Sequence, residues 1–393
     1  MKRNLKALAI VTSILVTAGV LAGCATKKKD DTAGNSKDSG EIKIGAVLPL
    51  TGSIASFGQS SKEALTVLEE EINNKGGILN GRKIKFYYED DEAQPAKSSN
   101  AITKLIDSEK VVGIVGTVTS GGCLAMGPIA TKKKIPMITG TATNETVTTV
   151  GGEYVFRACY LDPFQGKTVA KFAANDLSAK KAAVLYDLGS DYSKGLSDAF
   201  VDSFKSGGGT VTNVLTYNTA DKDFNAQLTK IKSDNVDVLF LPEYYDAVGL
   251  IAKQAKALGI NAVLLGGDGW DSADLVKIGG DAVNGGYFCN HYSPDDTAQP
   301  VQDFLKAYKA KYNNKTPDAL AALAYDAGKL LIDAMVKAGT TDGEKVKTAM
   351  QALEDTVVSG KITFDKDRNP IKGAVMIKIE NGKQVLAKKV DSK

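Results

Sequence analysis

The chain has 393 residues, with 49 Lys+Arg, 46 Asp+Glu and a single histidine. This length exceeds what one compact core holds and suits two domains, and the near balance of charge excludes a generic attraction for nucleic acid. One histidine leaves histidine-based hydrolysis and most zinc sites without their usual base or ligands.

Lys2, Arg3 and Lys6 make a basic start, followed by an apolar run over 7–20. The run is shorter than the roughly 20 residues needed to span a bilayer. It ends in Leu21-Ala22-Gly23-Cys24, which resembles the bacterial lipobox. The resemblance implies a signal peptide over 1–23 and lipidation of Cys24, leaving the protein anchored on the extracytoplasmic face of the cell membrane. Removing the leader takes three basic residues from the 49, leaving 46 against 46 acidic ones. Residues 24–40 carry Lys27-Lys28-Lys29 and almost nothing apolar, and read as a flexible, solvated tether. No later segment is apolar enough to cross a membrane. Cys123, Cys159 and Cys289 show no C-x-x-C spacing, and three cysteines cannot all pair within the chain. A Cys123–Cys159 bridge stays open in an oxidising compartment; three free, partly buried thiols are the preferred reading.

From Glu41 the pattern alternates. A strand over 42–48 is stopped by Pro49, and a helix over 59–74 places Ala64, Leu65, Val67, Leu68 and Ile72 on one face before Gly76-Gly77 ends it. A strand over 83–89, a helix over 96–107, a strand over 111–115, a helix over 124–132 and a strand over 135–139 follow. The rhythm restarts after Gln165 with helices over 168–176, 193–205, 223–233 and 247–258, and strands over 181–186, 211–217, 236–241 and 262–266. Strands alternating with helices of this length predict parallel sheets covered on both faces, in two successive units split near Asp162. Beyond Val301 come helices over 302–312, 319–337 and 343–353. A strand pair, 374–380 and 384–390, is turned by Asn381-Gly382, a specific hairpin signal.

The catalytic motifs fail one by one. No G-x-S-x-G elbow occurs. Gly166-Lys167-Thr168 imitates the end of a phosphate loop, but Leu161 stands where the loop needs its first glycine. The lone His291 reads as a hydrogen-bonder at a surface or hinge. The strand ends are more informative, because ligands of open α/β sheets sit there. Thr117-Val118-Thr119-Ser120-Gly121-Gly122 opens a helix with accessible amides and hydroxyls and suits an anion such as a carboxylate, with a plain glycine-rich turn as the alternative. Thr139-Gly140-Thr141-Ala142-Thr143-Asn144 is a second hydroxyl-rich turn, and Tyr244-Tyr245 closes a strand of the second unit. Gly267-Asp268-Gly269-Trp270 leads into Asp271 and Asp274, acidic groups that repel a pyrophosphate and suit a cation. Anion-friendly groups in one unit and a carboxylate in the other would grip the two ends of a zwitterion.

Over 42–390 the chain resembles type I periplasmic binding proteins of the branched-chain amino-acid (LIV) importer family. The resemblance lies in Gly45 to Gly52, Glu71-Ile72-Asn73 through Gly76-Gly77-Ile78, Gly116 to Ile129, Ala142-Thr143-Asn144, Phe164-Gln165-Gly166, Asp191 to Gly195, Gly266 to Asp271 and Leu323-Ala324-Tyr325-Asp326. It implies a two-lobed α/β clamshell, each lobe a parallel-sheet sandwich, joined by a hinge of three crossings. The lobes would be 41–161 plus 291–355 and 162–290 plus 356–393. It further implies that Ser120, the Thr141 backbone and Thr143 hold the ligand carboxylate, and that Asp268 pairs with its ammonium. Tyr192 and Tyr244 would close over the amino-acid backbone, and Phe57 would pack on the side chain. The implied role is capture of an amino acid (Leu, Ile or Val) and delivery to an ABC permease and its ATPase by a monomeric lipoprotein, without metal, cofactor or turnover. A sensor or an amide- or urea-type binder on the same fold is the alternative. Two departures stand out: Thr119 occupies a position where Escherichia-type members carry a disulfide cysteine, and 318–322 lacks an aromatic found in leucine binders.

Overall fold

The computed structural model describes residues 40–391, so the leader, Cys24 and the tether up to Ser39 lie outside the described residues. The first half builds β1 (Ile42–Leu48), α1 (Ala55–Asn74), β2 (Ile84–Asp90), α2 (Pro95–Lys104), β3 (Ile114–Gly116), α3 (Ser120–Lys133), β4 (Met137–Thr139), α4 (Val147–Gly151) and β5 (Val155–Arg157). Their strands form one sheet in the order β2-β1-β3-β4-β5, every pair parallel. Both faces of β1 are covered, which is why Ile42, Ile44, Ala46 and Val47 are all buried rather than alternating.

The second run is α5 (Asp162–Asn175), β6 (Lys181–Asp187), α6 (Asp191–Ser206), β7 (Thr210–Tyr217), α7 (Asn225–Asp234), β8 (Val238–Leu241), α8 (Tyr245–Ala257), β9 (Val263–Gly266), α9 (Ala273–Gly279) and β10 (Tyr287–Asn290). Next come α10 (Gln299–Lys311), α11 (Ala319–Ala338), α12 (Gly343–Gln351), a small hairpin β11 (Glu354–Val357) and β12 (Gly360–Thr363), and finally β13 (Ala374–Glu380) and β14 (Lys383–Val390). The second sheet runs β14-β13-β10-β9-β8-β6-β7. Its β13 and β14 are antiparallel, so this sheet is mixed and not purely parallel as expected. The reason is local: a two-residue turn can join only antiparallel strands. Asn381 and Gly382, at φ 52° and 72°, supply the two left-handed residues that such a turn requires.

The chain passes between the sheets three times: after β5, after β10 and between β12 and β13. After the second passage α10 and α11 return to pack on α1, and α11 also covers β3 and β4. Helix α11 is buried nearly all round, and Gly328 lets it lie close to α1, since a Cβ there would stand 2.7 Å from Leu68 Cδ2. The hairpin 354–363 straddles the expected lobe boundary at 355/356.

Several elements differ from the sequence reading. Strands β5 and β10, the short α4 and the β11–β12 hairpin were not expected, and β3 and β4 are three-residue strands. Segments this short carry no period; they become strands because their neighbours in the sheet supply the hydrogen bonds. Helices α1, α3 and α5 each begin four to six residues before the expected start. For α5, Pro163 sits in the first turn, where its missing N–H costs nothing. The three thiols Cys123, Cys159 and Cys289 are free and buried. No helix among the described residues is long and apolar enough to cross a membrane.

Leu331, fully buried on α11, packs against Gly113 at the entry to β3. Leu331→Ala should lower unfolding stability by about 2–5 kcal/mol, read from the urea midpoint at unchanged slope.

Candidate functional site

The strand ends of the two sheets face each other around a small cavity of about 10 Å³, lined by Phe57, Val118, Ser120, Thr141, Tyr192, Tyr244, Asp268, Gly269 and Leu320. Six of the seven residues singled out in the sequence therefore meet here. The topology explains it. Ser120, Thr141, Tyr192, Tyr244 and Asp268 directly follow β3, β4, β6, β8 and β9, and parallel strands deliver all their carboxyl ends to one edge. Phe57 enters from the first turn of α1. Thr143 is the exception: it is fully buried, and its carbonyl accepts from the Asp162 N–H at 3.0 Å. It is not among the residues that line the cavity, and its Oγ1 is buried without a hydrogen-bond partner.

Asp268 is 7 % exposed. Its Oδ1 accepts from Tyr192 Oη at 3.0 Å and its Oδ2 lies 2.9 Å from His291 Nε2. Its own N–H donates to Gln165 Oε1 at 2.8 Å, while the Gly269 N–H donates to Tyr192 Oη at 3.1 Å. The turn Asp268–Trp270 is pinned by the fully buried Trp270, whose indole N–H donates to Leu241 O at 2.9 Å. Burial pulls the His291 imidazole down to about 4 despite the neighbouring carboxylate, so the ring is neutral at physiological pH. Burial likewise pushes the Tyr160, Tyr192 and Tyr244 hydroxyls well above the usual phenol value, keeping each a neutral donor.

The opposite wall is neutral and rich in hydroxyls. Thr119 caps α3, its Oγ1 accepting from the Gly122 N–H at 3.3 Å, so the helix presents its positive end beside Ser120. Ser120 Oγ accepts from the Asn144 N–H at 3.2 Å. Thr141 Oγ1 donates to Val118 O at 2.9 Å, and its N–H leans on Thr139 Oγ1 at 3.3 Å. The aromatic walls interlock: Tyr192 and Tyr244 stack at 5.1 Å, and Phe57 meets Tyr244 edge-on at 5.9 Å.

The two sheets' halves also touch around the rim. Ser56 Oγ and Ser272 Oγ are 2.9 Å apart, Tyr245 Oη donates to Ser53 O at 3.0 Å, and Asn144 Nδ2 donates to Asp191 O at 2.9 Å. Asp271 Oδ2 accepts from the Ala319 N–H, at the start of α11, at 2.7 Å, and from Asn290 Nδ2 at 2.8 Å. Larger grooves exist, and two stand out by volume. One of about 570 Å³ lies between α5 and β14, and the other, of about 560 Å³, is bordered by Asp271, Asp318 and the β13–β14 turn. Neither collects the strand-end groups, so the small cavity is the candidate site.

Sequence reasoning missed His291, Gln165, Val118 and Leu320. His291 and Gln165 reach the site only because β10 ends beside β9 and α5 packs against that edge. The strand that carries His291 to the site, β10, was itself not expected from the sequence, so no local signal marked it.

This arrangement defines a class: a two-lobed α/β protein whose opposed strand ends line one small cavity. A family model described as periplasmic binding protein matches residues 41–384, and the chain belongs to that family. The Leu/Ile/Val-binding protein BraC3 of Rhizobium johnstonii is 35% identical over 332 residues, covering 82% of this chain and 87% of that protein. The crystal structure of the leucine-binding protein LivK from Thermotoga maritima superposes with a TM-score of 0.85 at 38% identity, over 89% of this chain and 99% of the other. LivJ from Streptococcus pneumoniae, a branched-chain amino-acid transporter substrate-binding protein solved with isoleucine, gives 0.84 at 33% identity over 89% and 99%. These homologues are substrate-binding proteins of branched-chain amino-acid transport.

Asp318, the N-cap of α11, accepts from the Ala321 N–H at 2.9 Å and from Ser60 Oγ at 2.5 Å. Loss of solvent, and next the charge of Asp271, push its carboxyl from 3.8 up to about 7. The proton is favoured in the folded protein, so its stabilising contribution is full below about pH 4 and is lost as pH rises through about 7. Asp318→Asn keeps a capping oxygen without the charge. Its melting temperature should gain on the wild type between pH 5 and pH 8; parallel pH profiles of the two proteins would contradict this.

Proposed function

We propose that the protein captures an aliphatic α-amino acid, of the leucine, isoleucine and valine class, between its two lobes and delivers it to an ABC permease, with no chemical turnover. The observation that carries this reading is the Asp268 carboxylate, held by uncharged donors and facing the positive end of α3 across one small cavity. In this reading Asp268 takes the ammonium, while Ser120 and the amides opening α3 take the carboxylate. Tyr192 and Tyr244 cover the amino-acid backbone. Phe57, Val118 and Leu320 are the apolar cavity residues available to a branched side chain. Thr143, whose Oγ1 is buried without a hydrogen-bond partner, is a further group for the ligand carboxylate.

A cavity of about 10 Å³ has room for the centre of about one water molecule, so entry of an amino acid requires the lobes to part. The moving bodies are the two large sheets with the helices packed on them, turning about the three crossings. Parting breaks the rim contacts Ser56–Ser272 and Tyr245–Ser53, and closure around the ligand restores them. The protein works as a monomer outside the cell membrane, held through lipidated Cys24 and the tether 24–40.

A thermal-shift panel of the twenty amino acids on the chain lacking residues 1–24 should single out Leu, Ile and Val, since a ligand specific to the folded form raises stability by RT ln(1 + [L]/Kd). Asp268→Ala should weaken leucine binding by about two orders of magnitude or more in calorimetry while the circular dichroism stays native, because one partner of a buried charge pair is lost. Wild-type affinity in that variant rejects the assignment.

A further inference from the structure

His291 sits where the chain leaves β10 for the second passage between the sheets, and its side chain is 1 % exposed. Its Nε2 lies 2.9 Å from Asp268 Oδ2, its ring is stacked at 3.6 Å on Tyr160, and its N–H donates to Asn290 Oδ1 at 2.9 Å. Tyr160 Oη in turn donates to Gln165 Oε1 at 3.1 Å, the same oxygen that receives the Asp268 N–H. Asp268 is thus held from the side chain and from the backbone by one connected set of groups, none of which is positively charged.

The tautomer follows from geometry. Nδ1 is buried and has no hydrogen-bond partner. A proton placed there would strand a buried N–H and turn the Nε2 lone pair toward a carboxylate oxygen, a repulsive contact. The proton therefore belongs on Nε2, where it is donated to Oδ2. The groups acting on the ring are Asp268, which favours a second proton, and Lys372, which opposes it; Tyr160 stacks on its face. Burial outweighs the carboxylate and keeps the ring neutral.

We infer that His291 is a positioning residue for amino-acid recognition: its neutral Nε2–H fixes the Asp268 carboxylate toward the cavity and leaves that carboxylate's full negative charge for the ligand ammonium. A lysine or arginine in the same place would hold the carboxylate equally well but neutralise it before the ligand arrived. The inference rests on the reading of Asp268 as the ammonium's partner and adds what makes that partner work. It also gives one of the three passages between the sheets a direct hydrogen bond to the site.

The chain contains one histidine, so a long-range ¹H–¹⁵N imidazole spectrum of the intact protein reads this ring without assignment. The expected spectrum at pH 7 is that of a neutral ring protonated on Nε2; an Nδ1–H tautomer or an imidazolium overturns the inference. Calorimetry supplies the functional arm, with leucine and with its 2-hydroxy analogue, which has the same carboxylate and side chain but no ammonium. His291→Phe should weaken leucine by about tenfold to a hundredfold, the range set by one hydrogen bond to a charged group, and the hydroxy acid much less. His291→Gln, which restores a neutral donor, should recover most of the loss. On an Asp268→Asn background His291→Phe should add little. Equal loss for both ligands, or full additivity with Asp268→Asn, assigns His291 a merely structural role and overturns the inference. An Asp268→Asn variant that binds leucine like the wild type instead removes the reading of Asp268 itself. Should His291→Phe not fold, His291→Gln and the imidazole spectrum still decide.

Discussion

A carboxylate that is nearly sealed from water is the constraint around which this molecule is arranged. Removing such a group from solvent costs several kcal/mol after relaxation, and it stays charged only when its lone pairs are met by well-placed donors. Asp268 finds Tyr192 and His291 for its oxygens and Gln165 for its backbone N–H. Those partners come from α6, from the end of β10 and from α5, elements far apart in sequence that the second sheet brings to one edge. The tyrosines and the histidine are kept neutral by the same burial that makes the carboxylate expensive. The site therefore sets the Asp268 carboxyl, met by uncharged donors, opposite a helix N-terminus.

Closure of the cleft relies on the same chemistry at the rim. Beside the edge-on packing of Phe57 on Tyr244 and Tyr245, its contacts are small polar ones, Ser56 with Ser272 and Tyr245 with Ser53. Such contacts exchange readily for water, which suits halves that must separate. Asp271 differs, because it reaches across to the first N–H of α11 and stands beside Asp318, so two carboxylates share one helix end. The helix dipole favours one negative charge there more than two. This makes the α11 end a pH-sensitive element of the rim.

The passages between the sheets are supported by buried cations rather than by hydrophobic packing alone. Arg157, at the end of β5, donates to Ala142 O and Asn144 O at 2.8 Å each, tying the first passage to the turn that carries Thr141. Lys372, before β13, reaches Ala158 O at 3.2 Å and Ser359 Oγ, and burial lowers its ammonium to about 8. Both donate to main-chain carbonyls near the passages.

Much of this could be read in the chain itself. Strands 42–48 and 181–186, helix 319–337 and the Asn381-Gly382 hairpin carry long periods or specific turn chemistry, and each formed where expected. Ser120, Thr141, Tyr244 and Asp268 lie in the strand-end turns that mark the functional edge of an α/β sheet, whereas Phe57 and Tyr192 were implied only by the family resemblance. The three-residue strands, β10 and the antiparallel finish of the second sheet were not legible, since neighbours and not local sequence define them. Above all, His291 could be recognised only in space. A residue's local sequence sets its chemistry, but the pairing of β10 beside β9 decides that this imidazole meets the carboxylate of Asp268.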